Sequence, residues 1–242
     1  PICYYLTITR PGVLGEGKVF RNYEEALLAY QTGNLHLEAA IRVRRTVSLP
    51  DGSEVTKLIK TTVGRLIFNE KIPQDLGYVD RTKPETACLL EIDFPVDKGK
   101  LGDIAWRVYE RHGNATTAEV LDDIKNLSFH YATRGGISIG LQDITTPAKK
   151  QDILAETDKV VNDIERLYAR GHMSKDERYQ RVTQLWSEAT KRVTAALLES
   201  LDPFNPVMMM ATSKARANTE QLRQLAGMRG LMADPTGRII DL

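Results

Sequence analysis

The sequence predicts a mixed α+β fold: a strand-rich N-terminal part, a helical centre with a protruding antiparallel coiled-coil hairpin, and a C-terminal loop, helix and strand. Three observations carry this. Residues 3–68 hold β-branched and alternating apolar runs. Residues 153–196 place apolar or small side chains at steps of three and four, interrupted by one glycine turn. Residues 203–237 are rich in proline, glycine and basic side chains.

Taken in order, Cys3 to Thr9 reads as a strand closed by Arg10-Pro11-Gly12. Gly12, Gly15 and Gly17 lack the spacing of a phosphate-binding loop, and Lys18-Val19-Phe20 opens no helix after them. Asn22 with Glu25 is a capping box for a short helix, Tyr23 to Gln31, ended by Gly33. From Leu35 to Val47 the residues alternate. Leu37, Ala39, Ile41 and Val43 face one way and Glu38, Arg42 and Arg44 the other, as in a long strand with one wet face. Pro50 to Ser53 turns the chain into a second strand that includes Val55 to Ile59. Arg42, Arg44, Arg45, Lys57 and Lys60 fit a solvated edge better than a nucleic-acid backbone contact. After Ile72-Pro73 the chain turns irregular. Glu91, Asp93 and Asp97 could suggest a metal cluster, but Leu89-Leu90 and Phe94-Pro95 around them read as strand and turn, and their spacing does not guarantee the converging oxygens a hard cation needs.

Lys100 to Arg111 is an amphipathic helix carrying Leu101, Ile104, Trp106 and Val108, ended by Gly113. Thr116 with Glu119 caps another, holding Val120, Leu121, Ile124 and Leu127. Gly135-Gly136 precedes a short strand, Ile137 to Leu141. Thr146-Pro147 then starts a helix whose seam is Ile153, Thr157, Val160, Ile164 and Leu167, stopping at Arg170-Gly171. Ser174 with Glu177 starts its partner, with Tyr179, Val182, Trp186, Ala189, Val193 and Ala196 in the seam. So short a connection makes the two helices antiparallel neighbours. The hairpin either packs on its own domain or serves as a handle that other proteins grip. Asp202 to Pro206 is a turn, and Met208, Met209 and Met210 read as soft core filler. A polar loop, Thr212 to Asn218, leads to a helix from Glu220 to Met228 and a last strand at Ile239 to Leu242. Both ends read as cut from a longer chain.

Composition excludes more than it selects. With a formal net charge of +1 and 27% charged residues, no polyanionic partner is implied globally. Cys3 and Cys88 form no CxxC pair, which fits a reduced, intracellular protein. The longest apolar run, Val207 to Ala211, is too short for a bilayer, and no signal peptide precedes it. His36, His112, His130 and His172 show no metal or catalytic pairing, and no nucleophile elbow or Walker loop is present. Lys214, Arg216, Arg223 and Arg229 cluster in the C-terminal part, and arginine offers two N–H groups at once to a phosphate.

Specific motifs then narrow the reading. Phe204-Asn205-Pro206, Met209-Met210-Ala211, Ser213, Ala215-Arg216, the run Arg223 to Ala233, Pro235 and Gly237 resemble the beta-prime subunit of bacterial RNA polymerase just before its bridge helix. Tyr131 to Arg134, Gly136 to Gly140, Asp143 and Pro147 are similar to that family's entry into the rim helices of the secondary channel. Gly171, Glu177-Arg178-Tyr179 and Trp186 resemble the rim hairpin, and Thr61 to Arg65, Asn69, Ile72-Pro73 and Tyr4 to Thr7 fit as well.

The resemblance implies a central piece of a DNA-directed RNA polymerase, a nucleotidyltransferase only as part of the full complex. Residues 1–100 would be channel wall, 101–145 a helical segment with a short strand, 146–202 the rim hairpin and 203–242 the F loop with its following helix. Arg216 would contact the incoming nucleoside triphosphate, with Met210, Ser213, Arg223 and Gln224 as active-centre support. Arg170, His172, Lys175 and Asp176 at the hairpin tip would dock secondary-channel transcription factors. The implied partners are the beta, alpha, omega and sigma subunits, the DNA template, RNA and nucleoside triphosphates, without a membrane, in the cytoplasm at the nucleoid. The catalytic Mg2+ would be bound outside this chain, because the family's Asn-Ala-Asp-Phe-Asp-Gly-Asp loop is absent. Where the family commonly reads Ala-Asp-Ser-Gly-Ala-Arg-Gly, this chain has Ala211 to Ala217 with Thr212, Lys214 and Ala217 as departures. The alternative is a stand-alone coiled-coil module that binds transcription factors without catalysis; an unrelated nucleic-acid-binding protein is the weaker rival.

Overall fold

The computed structural model describes residues 1–49 and 52–240. It divides into two compact units, Pro1–Ile137 with Thr212–Ala215, and Ser138–Ala211 with Arg216–Leu242. Strands and helices mix as expected, but several elements differ from their local sequence preference.

The first unit opens with helix α1, Ile2–Thr7, where a strand was expected. Leu6 is fully buried, and the Thr7 hydroxyl donates to the Cys3 carbonyl while accepting from the Val96 amide. Strand preference spans only about 1 kcal/mol and yields to burial against a neighbour. That neighbour is α3, Val63–Glu70, capped by the Thr62 hydroxyl on the Arg65 amide. A Cβ on Gly64 would lie 2.2 Å from the Leu6 carbonyl oxygen, so α1 and α3 meet backbone to backbone. Helix α2, Tyr23–Gln31, begins as expected, with Asn22 accepting from the Glu25 amide.

A three-stranded mixed sheet lies in the same unit. Strand β1, Val19–Phe20, runs parallel to β2, Ile41–Ser48, which pairs antiparallel with β3, Glu54–Thr61. The strand expected from Leu35 thus begins only at Ile41. Within β2 the alternation holds, with Ile41 and Val43 buried and Arg42 and Arg44 exposed. Glu38 breaks the expected pattern. It is 1% exposed, and burial pushes its carboxyl up to about 7, with Arg10 pulling the other way. The turn expected at Pro50 to Ser53 lies partly outside the described residues.

The irregular stretch after Ile72 is held by side-chain bonds to its backbone. Asn69 both donates to the Ile92 carbonyl and accepts from the Ile92 amide. Arg45 leaves the expected solvated edge and donates to the Cys88 and Leu89 carbonyls. The three carboxylates weighed as metal ligands go to separate partners. Glu91 accepts from the Tyr78 amide and pairs with Arg81 at 3.5 Å, Asp93 pairs with Arg65 at 2.7 Å, and Asp97 caps α4.

Helix α4, Lys98–Gly135, is two helices broken at Gly113, where φ is 77° and ψ −175°. The second half starts directly after that glycine rather than at the expected Thr116 cap. Ile104 and Val108 face the core, but Trp106 points away and is 61% exposed. Leu121 is likewise exposed, leaving Val120 and Ile124 as the buried pair.

In the second unit, Leu141–Asp143 forms a 3-10 turn in place of the end of an expected strand. The hairpin consists of α5, Lys150–Ala169, and α6, Lys175–Ser200. Helix α5 starts one turn later than Pro147, which instead closes a turn with its carbonyl accepting from the Lys150 amide. Ile153, Thr157 and Ile164 are buried in the seam, whereas Val160 is exposed and Val161 half-buried in its place. Ile153, Ala189, Val193 and Ala196 form one cluster with Trp186 packed on it. Arg178–Glu165 at 2.5 Å and Arg192–Glu156 at 2.6 Å tie the helices across the seam. The chain continues through α7, Pro206–Thr212, and α8, Thr219–Leu222, into one π turn, Arg223–Gly227. That turn replaces the second half of the helix expected from Glu220 to Met228. Ala226 packs on Leu197 and Leu201 of the α6 end. Ile239 bridges to Ala233, and the Tyr179 hydroxyl donates to the Ile239 carbonyl and accepts from its amide. The rest of the strand expected there, Asp241-Leu242, lies outside the described residues.

Candidate functional site

The loop after α7 carries Ser213 and Arg216, with Met210 in α7 before it and Arg223 and Gln224 on the π turn beyond α8. One end of the loop is fixed by a long-range bond to the start of α4 and the other by a local helix cap. Ser213 is buried, and its carbonyl accepts from the Lys98 amide at 2.9 Å. At the far end, Asn218 and Gln221 form a reciprocal capping box on α8, at 2.8 and 3.1 Å. Between these ends Lys214 and Ala217 adopt φ of 56° and 64°, as the sole non-glycine residues with positive φ among the described residues. Each such residue costs about 1–2 kcal/mol, because its Cβ crowds the following carbonyl. The loop therefore takes a shape that glycine would reach freely.

Arg216 sits between the two left-handed residues. Its amide lies 3.5 Å from the Met210 carbonyl, while its side chain is exposed and has no ion-pair partner among the described residues. A free guanidinium on a bent backbone can offer two parallel N–H donors to phosphate oxygens. The supporting residues divide. Met210 is half-buried and Ser213 buried, as packing residues would be. Arg223 is already occupied, donating to Glu220 at 2.6 Å with its Nη1 beneath Gly230. Gln224 is exposed on the π turn. Single π turns are frequent at functional positions, since they re-aim one side chain within a helix.

The hairpin tip gathers the other set. Gly171, at φ 76°, ends α5 with its amide on the Tyr168 carbonyl, and Ser174 opens α6 by accepting from the Glu177 amide. Arg170, His172, Lys175 and Asp176 are all exposed around this turn. Charges of both signs on one tip suit orienting a partner more than adding raw affinity.

Sequence reasoning missed Asp97 as a partner of the substrate loop. Its carboxylate caps α4 through the Lys100 amide at 2.8 Å and pairs with the Lys214 ammonium at 3.0 Å. The Lys100 amide bond, seconded by Lys214, holds its carboxyl below the ordinary aspartate range. An N-cap aspartate was legible in the Asp97 to Lys100 spacing, but its contact with a loop more than a hundred residues away was not. Among the described residues, no group of three or more His, Cys, Asp or Glu side chains is placed to hold a metal.

Comparison with known proteins defines the class. The chain belongs to the RNA polymerase Rpb1 family: the model for RNA polymerase Rpb1, domain 3, matches residues 2–144, and that for domain 4 matches residues 162–242. Within the family it is similar to bacterial chains. The DNA-directed RNA polymerase subunit beta' of Thermoanaerobacter pseudethanolicus is 55% identical over 240 residues, and that of Clostridium novyi 50% over 239. Each match covers 99% of this chain and 20% of the relative, so the chain spans about a fifth of the length of the curated relatives it matches. The resemblance expected from the Arg223 to Ala233 run and the rim motifs is borne out.

Proposed function

We propose that this chain is a central portion of the beta-prime subunit of a bacterial DNA-directed RNA polymerase, forming the secondary-channel rim and supporting the active centre during template-directed RNA synthesis. The observation that carries this reading is the 55% identity to a beta-prime subunit along 99% of the chain. Residues 1–100 form channel wall, 101–145 a helical segment, 146–202 the rim hairpin and 203–242 the F loop with its following turn. Arg216 contacts the incoming nucleoside triphosphate. Met210 and Ser213 pack the loop that presents it, and Arg223 and Gln224, on the π turn beyond α8, give active-centre support. The partners are the beta, alpha, omega and sigma subunits, template DNA, RNA and channel-inserting factors, in the cytoplasm at the nucleoid. No helix among the described residues is long and apolar enough to cross a membrane.

Template-directed nucleotidyl transfer depends on Mg2+ held by carboxylates. Glu91, Asp93 and Asp97 go to separate partners, and no group of three or more His, Cys, Asp or Glu side chains among the described residues is placed to hold such an ion, so this reading assigns Mg2+ to parts of the subunit outside this chain. Purification of the native polypeptide with an antibody to the hairpin tests the whole reading. We expect a polypeptide about five times as long as this chain, given the 20% coverage of its relatives, with RNA synthesis copurifying. A species of 27.2 kDa without synthesis would establish the alternative, a stand-alone coiled-coil module.

The tip is the docking point for channel-inserting factors, a role supported by its exposed charges. Lys175→Glu and Asp176→Lys in the complete polymerase are expected to weaken factor binding about five- to tenfold, the scale of one or two charge contacts. Basal synthesis should stay within a factor of two. Equal loss of both activities would show the tip to be purely structural.

A further inference from the structure

We propose that Lys214 and Asp97 act as positioning residues for nucleotide use: their ion pair anchors the strained loop to the start of α4 and so holds Arg216 where it meets the triphosphate. The inference rests on the Arg216 reading and extends it to two residues that touch no substrate. Lys214 stands in the left-handed region, which an L side chain adopts only when its surroundings hold it there. What holds it is on the molecule. The Lys214 Nζ lies 3.0 Å from the Asp97 carboxylate, and one residue earlier the Ser213 carbonyl accepts from the Lys98 amide at 2.9 Å. Adjacent residues of the loop thus clasp adjacent residues of the helix start, through one charged and one backbone contact.

Asp97 is suited to this. It is 24% exposed at its side chain against 69% for Lys214, so the carboxylate is the fixed partner and the lysine the moving one. It is also already oriented by the Lys100 amide, so little freedom is lost when the lysine arrives. Chain length carries the effect onward, since Arg216 follows Lys214 by two residues and Ala217 repeats the left-handed conformation on its other side. Releasing Lys214 lets this stretch relax toward ordinary backbone angles and turns the guanidinium away.

The test uses the complete polymerase with Asp97→Asn, which keeps an N-cap acceptor but removes the charge, and with Lys214→Gln, which keeps a long side chain in the same backbone position. Two readouts are taken: hydrogen exchange over residues 98–101 and 213–218, and the half-saturating nucleotide concentration against the rate at saturation. Each variant should exchange about two- to fivefold faster and raise half-saturation by a similar factor, with the saturating rate unchanged. The double variant should be no worse than either single one, because both remove the same pair. Unchanged exchange overturns the anchor. Faster exchange with unchanged half-saturation overturns the positioning role and leaves a structural clasp. Arg216→Ala run alongside separates the two ideas: if it alone shifts half-saturation, the anchor fails and the Arg216 reading stands. If Asp97→Asn shifts it and Arg216→Ala does not, the loop positions nucleotide through another group and the Arg216 reading fails.

Discussion

Gly64→Ala is expected to destabilise the first unit by about 3 kcal/mol or more, the upper part of the range for overpacking a core. The added methyl would sit 2.2 Å from the Leu6 carbonyl oxygen and 3.0 Å from its carbon. Both are backbone atoms of α1, so no rotamer change relieves the clash. Moving α1 away would uncover Leu6 and Phe68, both fully buried, and would strain the Thr7 bonds to Cys3 and Val96. Against a typical domain stability of about 5–15 kcal/mol, such a loss is a large fraction. Urea unfolding of the chain followed by circular dichroism should show the midpoint fall by about 1 M or more. A fall worth under about 1 kcal/mol would mean that α1 can slide freely over α3.

Arg216→Ala in the complete polymerase should raise the half-saturating nucleotide concentration roughly ten- to hundredfold while leaving assembly intact. A charge-assisted, two-donor contact to phosphate is worth about 1.5–3 kcal/mol where water is partly excluded, which converts to that factor. The side chain has no competing carboxylate among the described residues, so its deletion orphans nothing within the chain. Arg216→Lys should recover part of the loss, since ammonium keeps the charge without the planar fork. Single-nucleotide addition across a range of nucleotide concentrations reads this directly. A rate that falls equally at limiting and saturating nucleotide, with half-saturation unchanged, would end the case for ground-state triphosphate binding by Arg216.

The candidate site was legible in the sequence only where local chemistry specifies it. The tip residues Arg170, His172, Lys175 and Asp176 follow from a glycine stop and a serine cap, and the structure exposes all four. Arg216 was marked by motif, and its free guanidinium agrees with a binding role. Arg223 carried the same motif signal, yet Glu220 claims its charge. No spacing rule separates the two, because the difference lies in which neighbours each arginine folds against. The Lys214–Asp97 pair was invisible for the same reason.

What the sequence determined by itself was whatever a single turn or a single helix face can decide. The Asn22 and Ser174 caps, the Ile41 to Val43 alternation and most of the hairpin seam each rest on partners within a few residues or on one repeating period and formed as read, although Val160 and Leu167 of the expected seam are exposed. Tertiary structure decided the rest. It made a helix of Ile2–Thr7 against strand preference, buried Glu38, drew Arg45 inward to bind the carbonyls of an irregular segment, and bent Lys214 and Ala217 into left-handed backbone. The physical reason is one of magnitude. Local preferences amount to about 1 kcal/mol per residue or less, whereas a buried apolar side chain contributes about 1.5–3 kcal/mol and an unsatisfied buried backbone group costs about as much. Wherever a distant segment could bury an apolar side chain or pair a buried backbone group, it overruled the local preference.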